Sequence, residues 1–396
     1  MTAERFSTTP SPRRIFISTG EVSGDLQGAL LVEALKRQAA SHNLLLEISA
    51  LGGRQMSEAG ATLLGDTSGI GSVGLWESLP HILPTLRIQH EVKRFLQQYP
   101  PDLVVLIDYM GPNLEIGSFL RRHFPQVPIV YYIAPQAWVW SQSPKDTERI
   151  VKITDRLLAI FPAEAQYFEQ HGAQVSWVGH PLIDRIQGFP SRKEARIRLG
   201  IEDDQLAIAL IPASRRQELK YLMPVIFAAA QRLQAQLPQV HFWIPLSLEI
   251  YRSAIEGAIA HFNLKATLVT QKTPEVLAAA DLAIAKSGTV NLELALLDVP
   301  QVVLYRVSSL TYWIGRQLFN FSVPFMSPPN LVEMQPIVPE FIQDQATPEA
   351  IFTAALDLLK NPELRSSTLT GYQKIRLALG EPGVCDRAAQ EILQLL

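Results

Sequence analysis

Short apolar, β-branched runs alternate with helix-periodic stretches along nearly the whole chain. In the first half the runs are RIFIST, LLEISALGG, DLVVLIDY, PIVYYIA, RLLAIF and QVSWVGH. In the second they are LAIALIPAS, VHFWIPLS, KATLVTQ, DLAIAKSGT and QVVLYRV. Runs with almost no polar position suit strands buried on both faces, the pattern of a parallel sheet, whereas strands with one wet face alternate. Helices between them supply right-handed crossovers. Each half therefore predicts a doubly wound, Rossmann-like α/β sheet. Between the halves, GHPLIDRIQGFPSRKEARIRLGIEDDQ passes from Gly/Pro-rich to charge-mixed, which marks a connector and a short helix. The predicted domains are 1–190 and 191–396. The closing stretches SSTLTGYQKIRLALG and DRAAQEILQLL are amphipathic and could pack on either domain. Open sheets of this kind take ligands at the carboxyl ends of their strands, so two domains facing a central cleft are expected.

Composition narrows the function. A chain of 396 residues is too long for one ordinary core and suits two domains. A formal net charge of −3 provides no global field for nucleic acid. The single cysteine, Cys385, has no internal partner for a disulfide or a metal knuckle, which fits a reducing compartment and makes the cytoplasm the expectation. The opening MTAERFSTTPSPRRIF lacks an apolar run of signal-peptide length. No stretch reaches the roughly 20 apolar residues of a membrane span, so any membrane role is expected to be peripheral.

The candidate chemistry falls at predicted strand ends. RIFISTGEVSGDLQGALLVEALK carries Glu21 and Asp25 among Gly20, Ser23 and Gly24 in a strand-to-helix turn. In DLVVLIDYMGPN, Asp108 ends a buried strand. Poor solvation there would raise its pKa toward the range of a general base, although capping of the next turn is the plainer reading. In APQAWVWSQ, Trp138 and Trp140 offer faces for sugars or acyl chains, or else one lies in the core and one on the surface. His180 in VGHPLID could polarise a phosphate or hydroxyl, or simply satisfy a carbonyl. In the second half, ALIPASRRQELK presents Ser214 and Arg215, whose guanidinium could clamp a diphosphate or lie solvated. In AIAKSGTVNLELAL, the turn Ser287-Gly288-Thr289 offers N–H groups and hydroxyls to phosphate, and Glu293 could accept from a ribose diol. An N-cap threonine with a first-turn acid is the structural alternative. No P-loop motif is present, which disfavours phosphoryl transfer.

Taken together and in order, GEVSGD, IDYMGPN, APQAWVW, VGHPLID, PASRRQE, SGTVNLELAL, VVLYRV and PEFIQ resemble the lipid-A-disaccharide synthases. The resemblance implies a GT-B glycosyltransferase of two Rossmann-like domains. Its reaction would join UDP-2,3-diacylglucosamine to 2,3-diacylglucosamine 1-phosphate, giving a β-1,6 disaccharide and UDP at the cytoplasmic face of the inner membrane. It implies catalytic roles for Glu21 and Asp108, and UDP binding by Arg215, Ser214, Ser287, Gly288, Thr289 and Glu293. Ser23, Asp25, Asn113, Trp138 and His180 fall on the acceptor or supporting side. Inversion at an anomeric carbon needs a base and a stabilised leaving diphosphate, so no metal or other cofactor is expected.

Three departures stand out. The family's second acid in ID-x-P-D-F-N is replaced by Gly111 and its aromatic by Pro112, PGSR reads PASR, and the basic cluster after WAW is replaced by VWSQSPKDTER. They leave room for a related UDP-sugar transferase with another acceptor, or for a nucleotide-sugar-binding protein without turnover. Two stretches are candidates for contact with a membrane surface. One is ESLPHILPTLRIQHEVKRFLQQ, with Leu79, Ile82, Leu83 and Leu86 near Arg87, Lys93 and Arg94; the other is LTYWIGRQLFNFSVPFM. Each would equally serve as a core helix or a homodimer interface.

Overall fold

The structure, a computed structural model, describes residues 11–67, 75–139, 144–212, 216–308 and 323–396, with backbone alone at 75–82, 84, 144, 216 and 217. It divides into two compact units, 1–181 with 381–396, and 182–380.

The apolar runs of the first half become β1 (Arg13–Ser18), β2 (Leu46–Gly52), β4 (Leu103–Ile107), β5 (Ile129–Tyr132), β6 (Arg156–Ala159) and β7 (Val175–Trp177). With β3 (Thr62–Asp66) they form one parallel sheet in the order β3-β2-β1-β4-β5-β6-β7. Every residue of β4 and β5 is buried, as their unbroken apolar sequence requires, whereas the half-exposed β3 and β7 sit at the edges. The crossovers are α1 (Glu21–Ser41), α2 (Arg54–Glu58), α3 (Leu75–Gln98), α4 (Met110–His123), α5 (Pro144–Ile153) and α6 (Pro162–Gln170). Phe16, Val104, Leu106, Ile129 and Tyr131 pack one face of this sheet against Leu114, Ile116, Leu120 and Phe168.

The second unit is built from α7 (Leu182–Ile186), α8 (Arg192–Leu199), β8 (Leu206–Ile211), α9 (Arg216–Tyr221), α10 (Met223–Gln236), β9 (Val240–Pro245), α11 (Arg252–His261), β10 (Ala266–Val269), α12 (Thr273–Ala279), β11 (Leu282–Lys286), α13 (Val290–Leu296) and β12 (Gln301–Tyr305). There follow α14 (Pro328–Glu333), β13 (Glu340–Ile342), α15 (Pro348–Lys360) and α16 (Pro362–Leu379). Its sheet is also parallel, in the order β10-β9-β8-β11-β12-β13. The period of two divides each strand between two cores. Ile208, Leu210, Leu282 and Ile284 face one, and Ala207, Ala209, Ala283 and Ala285 face the other.

Two features differ from the sequence reading, and a third settles what it left open. The edge strands β3 and β13 were not expected, because each is short and only partly buried and so carries little apolar signal. The units divide between Pro181 and Leu182, ahead of the boundary near 190, because α7 pairs with α13 through Arg185 and Glu293. The last helix, α17 (Val384–Leu393), returns to the first unit. There Asp386 meets Arg37 at 3.0 Å, Arg387 donates to the Val178 carbonyl at 2.9 Å and Glu391 accepts from Ser176 at 3.0 Å.

Candidate active site

A doubly wound sheet opens a crevice where consecutive crossovers diverge to opposite sides. In the first unit this point lies between β1 and β4, and their carboxyl ends carry Thr19-Gly20-Glu21 and Asp108. Both predicted carboxylates therefore stand at the one place where the topology favours a ligand.

The backbone there is strained. Glu21, Asp108, Tyr109 and Ile133 hold φ of 64°, 46°, 45° and 59°, the left-handed region that bulky and β-branched residues avoid. Specific bonds hold them in place. The Asp108 N–H donates to the Ile133 carbonyl at 2.9 Å, while the Asp108 carbonyl accepts from Asn113 Nδ2 and from the Tyr131 hydroxyl, each at 2.8 Å. Asn113 is fully buried, donates also to the carbonyls of Ser18 and Ile107, and accepts from Ser18 Oγ at 2.7 Å. It ties the ends of β1 and β4 together. A Cβ on Gly20 would stand 2.5 Å from the Tyr109 ring, so only glycine admits this approach.

Asp108, Ile133, Ala134, Trp138, Phe161 and Glu164 line a cavity of about 330 Å³. Trp138 lies 5.7 Å from Phe161, and Phe161 lies 5.4 Å from His180, giving a row of three rings. His180 is buried, and burial holds its imidazole down at about 3. It is a neutral ring at physiological pH and not a cationic phosphate ligand. Glu164 accepts from the Ala134, Ile160 and Phe161 N–H groups, joining the ends of β5 and β6. Burial pushes its carboxyl up to about 7, a rise that the three N–H donors oppose and the charge of Asp108 reinforces.

Asp25 plays a different part. It is buried on α1 and accepts from the N–H groups of Gly53, Gln55 and Met56 at 2.8, 3.0 and 3.0 Å, capping α2. The opening motif thus divides its two acids, with Glu21 at the crevice and Asp25 inside the scaffold. Ser23 lies half-buried on the first turn of α1.

In the second unit the crossovers diverge between β8 and β11. Ser214 and Arg215, just after β8, lie outside the described residues, as do Trp140 and the aromatic stretch at 309–322. At the end of β11 the Ser287 hydroxyl donates to the Met326 carbonyl at 2.6 Å, and the Gly288 N–H donates to Asn291 Oδ1 at 2.7 Å. Thr289 occupies the N-cap position of α13 without a side-chain cap bond. Glu293 is buried, and one oxygen of its carboxylate is ion-paired to Arg185. Among the described residues no group of three His, Cys, Asp or Glu side chains is placed to hold a metal ion.

Sequence reading missed three contributors: Glu164, Arg185 and Lys286. Glu164 had a readable signal, since FPAE places proline and then glutamate in the first turn after a buried strand. Lys286, ending the apolar run LAIAK, was equally visible. Arg185 had none, because its partner stands far along the chain.

Comparison with known proteins identifies the family and the fold. The sequence model of the lipid-A-disaccharide synthetase family matches residues 15–394. A lipid-A-disaccharide synthase of Gloeothece citriformis is 61% identical over 380 residues, 96% of this chain and 99% of that protein. One from Synechocystis sp. is 57% identical, covering 96% and 97%. Among solved structures, the UDP-GlcNAc 2-epimerase of Neisseria meningitidis, determined bound to UDP-GlcNAc, superposes with a TM-score of 0.66 at 13% identity over 96% of this chain and all of that one. That likeness concerns the fold of two Rossmann-like domains, the GT-B organisation. By its sequence along almost its whole length, the chain belongs to the lipid-A-disaccharide synthetase family.

Proposed function

We propose that this chain transfers 2,3-diacylglucosamine from UDP to 2,3-diacylglucosamine 1-phosphate, forming a β-1,6 disaccharide with inversion and releasing UDP. The observation that carries the reading is Asp108, a carboxylate at the β1/β4 crevice beside a cavity with aromatic walls. Family membership supplies the substrate class.

In this reading the first unit receives the acceptor. The Asp108 carboxylate takes the proton of the acceptor's 6-hydroxyl, and the oxygen forms a bond to the anomeric carbon of the donor. The carbon–oxygen bond to the diphosphate breaks, and its electron pair leaves with UDP. Glu21, opening α1 on the other side of the same crevice, is the second carboxylate near that hydroxyl. Trp138 and Phe161 offer rings to the acceptor's apolar parts. Asn113, Asp25, Ser23 and His180 support the shape of the site. The second unit takes the donor, with Ser214 and Arg215 on the diphosphate and the turn Ser287-Gly288-Thr289 beside it. Glu293, held by Arg185, orders α13 beneath that turn. Cationic side chains meet the leaving charge, and the reading uses no metal ion.

Acylated substrates bring the protein to a membrane surface. Among the described residues no helix is long and apolar enough to cross one. We assign the contact to α3, where exposed Leu83 and Leu86 adjoin exposed Arg87, at the cytoplasmic face of the inner membrane.

The test is an assay of purified protein with both lipid substrates, following disaccharide and UDP together. Asp108→Ala is expected to lower turnover about 100- to 10,000-fold while UDP affinity is kept. Wild-type turnover in that variant would overturn the assignment of the base. A second reading, the same donor with a different acceptor, is favoured by Gly111. It replaces the family's second acid, and a side chain there would meet nothing within 4 Å. Comparing 2,3-diacylglucosamine 1-phosphate with unacylated sugar phosphates separates the two.

A further inference from the structure

Lys286 is the last residue of β11, following four fully buried apolar residues. Its side chain is 14% exposed, and its Nζ lies 3.5 Å from Oε1 of Glu218, itself 15% exposed. Two mostly buried charges gain little net stability from each other, because desolvation offsets their attraction, and an apolar pair would serve the fold as well. Stability therefore gives a weak account of this pair, and its position gives a better one. Glu218 stands on α9, which follows β8, and Lys286 ends β11, so the pair spans the crevice where the crossovers of this unit diverge.

The ammonium is also aimed at a specific place. Its Nζ is 2.7 Å from where a Cβ on Gly288 would stand. The lysine thus folds back over the one position in the turn that has no side chain, with Ser287 and Thr289 on either side. A Cβ here would meet only the end of the lysine side chain, so the absence of a side chain at Gly288 leaves the ammonium its place over the turn.

We propose that Lys286 is a direct cationic ligand of a nucleoside diphosphate in this crevice, and that Glu218 holds the ammonium in place until the diphosphate takes it over. The inference rests on the reading of the second unit as the donor site and adds a residue to it. Phosphate oxygens are acceptors that an ammonium meets with charge-assisted bonds stronger than neutral ones. On binding, the carboxylate and the diphosphate compete for one cation, and the doubly charged ligand wins.

The experiment is titration calorimetry of the full chain with UDP and, separately, with uridine. Lys286→Met is expected to weaken UDP about 10- to 100-fold and to change uridine by less than about twofold, the loss associated with one hydrogen bond to a charged group. The double variant Lys286→Met with Glu218→Gln leaves no carboxylate stranded. It is expected to show the same selective loss even if the single variant folds poorly. Equal losses for UDP and uridine, or no loss for either, would overturn the role of Lys286 while leaving the donor site standing. Failure of the wild-type chain to bind UDP would instead overturn the donor-site reading, and this inference with it.

Discussion

His180 offers a quantitative test of how the first unit is built. Its folded-state pKa lies near 3, below its ordinary value of 6.5, because burial disfavours the imidazolium. A base with a depressed folded pKa contributes stability that is present above the unfolded value and lost as pH falls toward the folded one. The unfolded chain takes up a proton below 6.5 that the folded chain refuses down to about 3. At about 1.4 kcal/mol per pH unit, the loss between about pH 7.5 and about pH 5 is roughly 2 kcal/mol. That figure barely changes if the folded value is one unit higher, because pH 5 lies above both. Glu164 acts oppositely over the same interval. Its folded value is raised from 4.5 to about 7, so its contribution is complete below 4.5 and lost as pH rises through 7. Acidification therefore recovers roughly 2 kcal/mol through Glu164, and the two groups nearly cancel in the wild type. The comparison that isolates the histidine is His180→Gln against wild type at each pH, by urea denaturation followed through tryptophan fluorescence. Whatever the substitution costs at about pH 7.5, the cost is expected to be about 2 kcal/mol smaller at about pH 5, since the variant has no imidazole left to protonate. An equal cost at both pH values would refute the reasoning.

Two further outcomes follow from other parts of the molecule. Arg185→Leu removes one partner of a mostly buried ion pair and leaves the Glu293 carboxylate uncompensated, which is expected to cost about 3–5 kcal/mol in thermal or urea unfolding. Adding Glu293→Leu should recover most of that loss, and a double variant less stable than the single one would contradict the account. For the membrane contact, cosedimentation with anionic vesicles at low salt is expected for the wild type and lost on combining Leu83→Asp with Leu86→Asp; unchanged sedimentation would move the contact off α3.

How much of this was legible in the sequence depends on what kind of information each feature needs. The place of Asp108 was readable because five apolar residues precede it and a strand buried on both faces has to end where the charge begins. The same logic finds Lys286. The division of labour between Glu21 and Asp25 was not readable. It depends on α2 presenting three N–H groups to α1, and nothing in GEVSGD refers to Gly53, Gln55 or Met56. The exact place of the division between the units was not readable for a similar reason. A connector looks like a connector until a distant partner claims it, and α7 is claimed by α13 through Glu293.

The strained backbone is the clearest instance. Of the ten non-glycine residues with positive φ among the described residues, four cluster at the ends of β1, β4 and β5: Glu21, Asp108, Tyr109 and Ile133. Others, such as Asn43 and Asn263, follow helix ends and are of the residue type that tolerates the conformation. Local sequence would place none of the four there, since each costs on the order of 1–3 kcal/mol relative to an ordinary conformation. They persist because the surroundings overdetermine them. Asn113 and Tyr131 hold the Asp108 carbonyl, the Asp108 N–H holds the carbonyl of Ile133, and Glu164 fixes the N–H of Ala134 beside it. Of these holders only Asn113 lies within the short motif around Asp108. The motifs therefore mark where the candidate chemistry sits, while its geometry is set in part by Tyr131 and Glu164, side chains on neighbouring elements far from Asp108 along the chain.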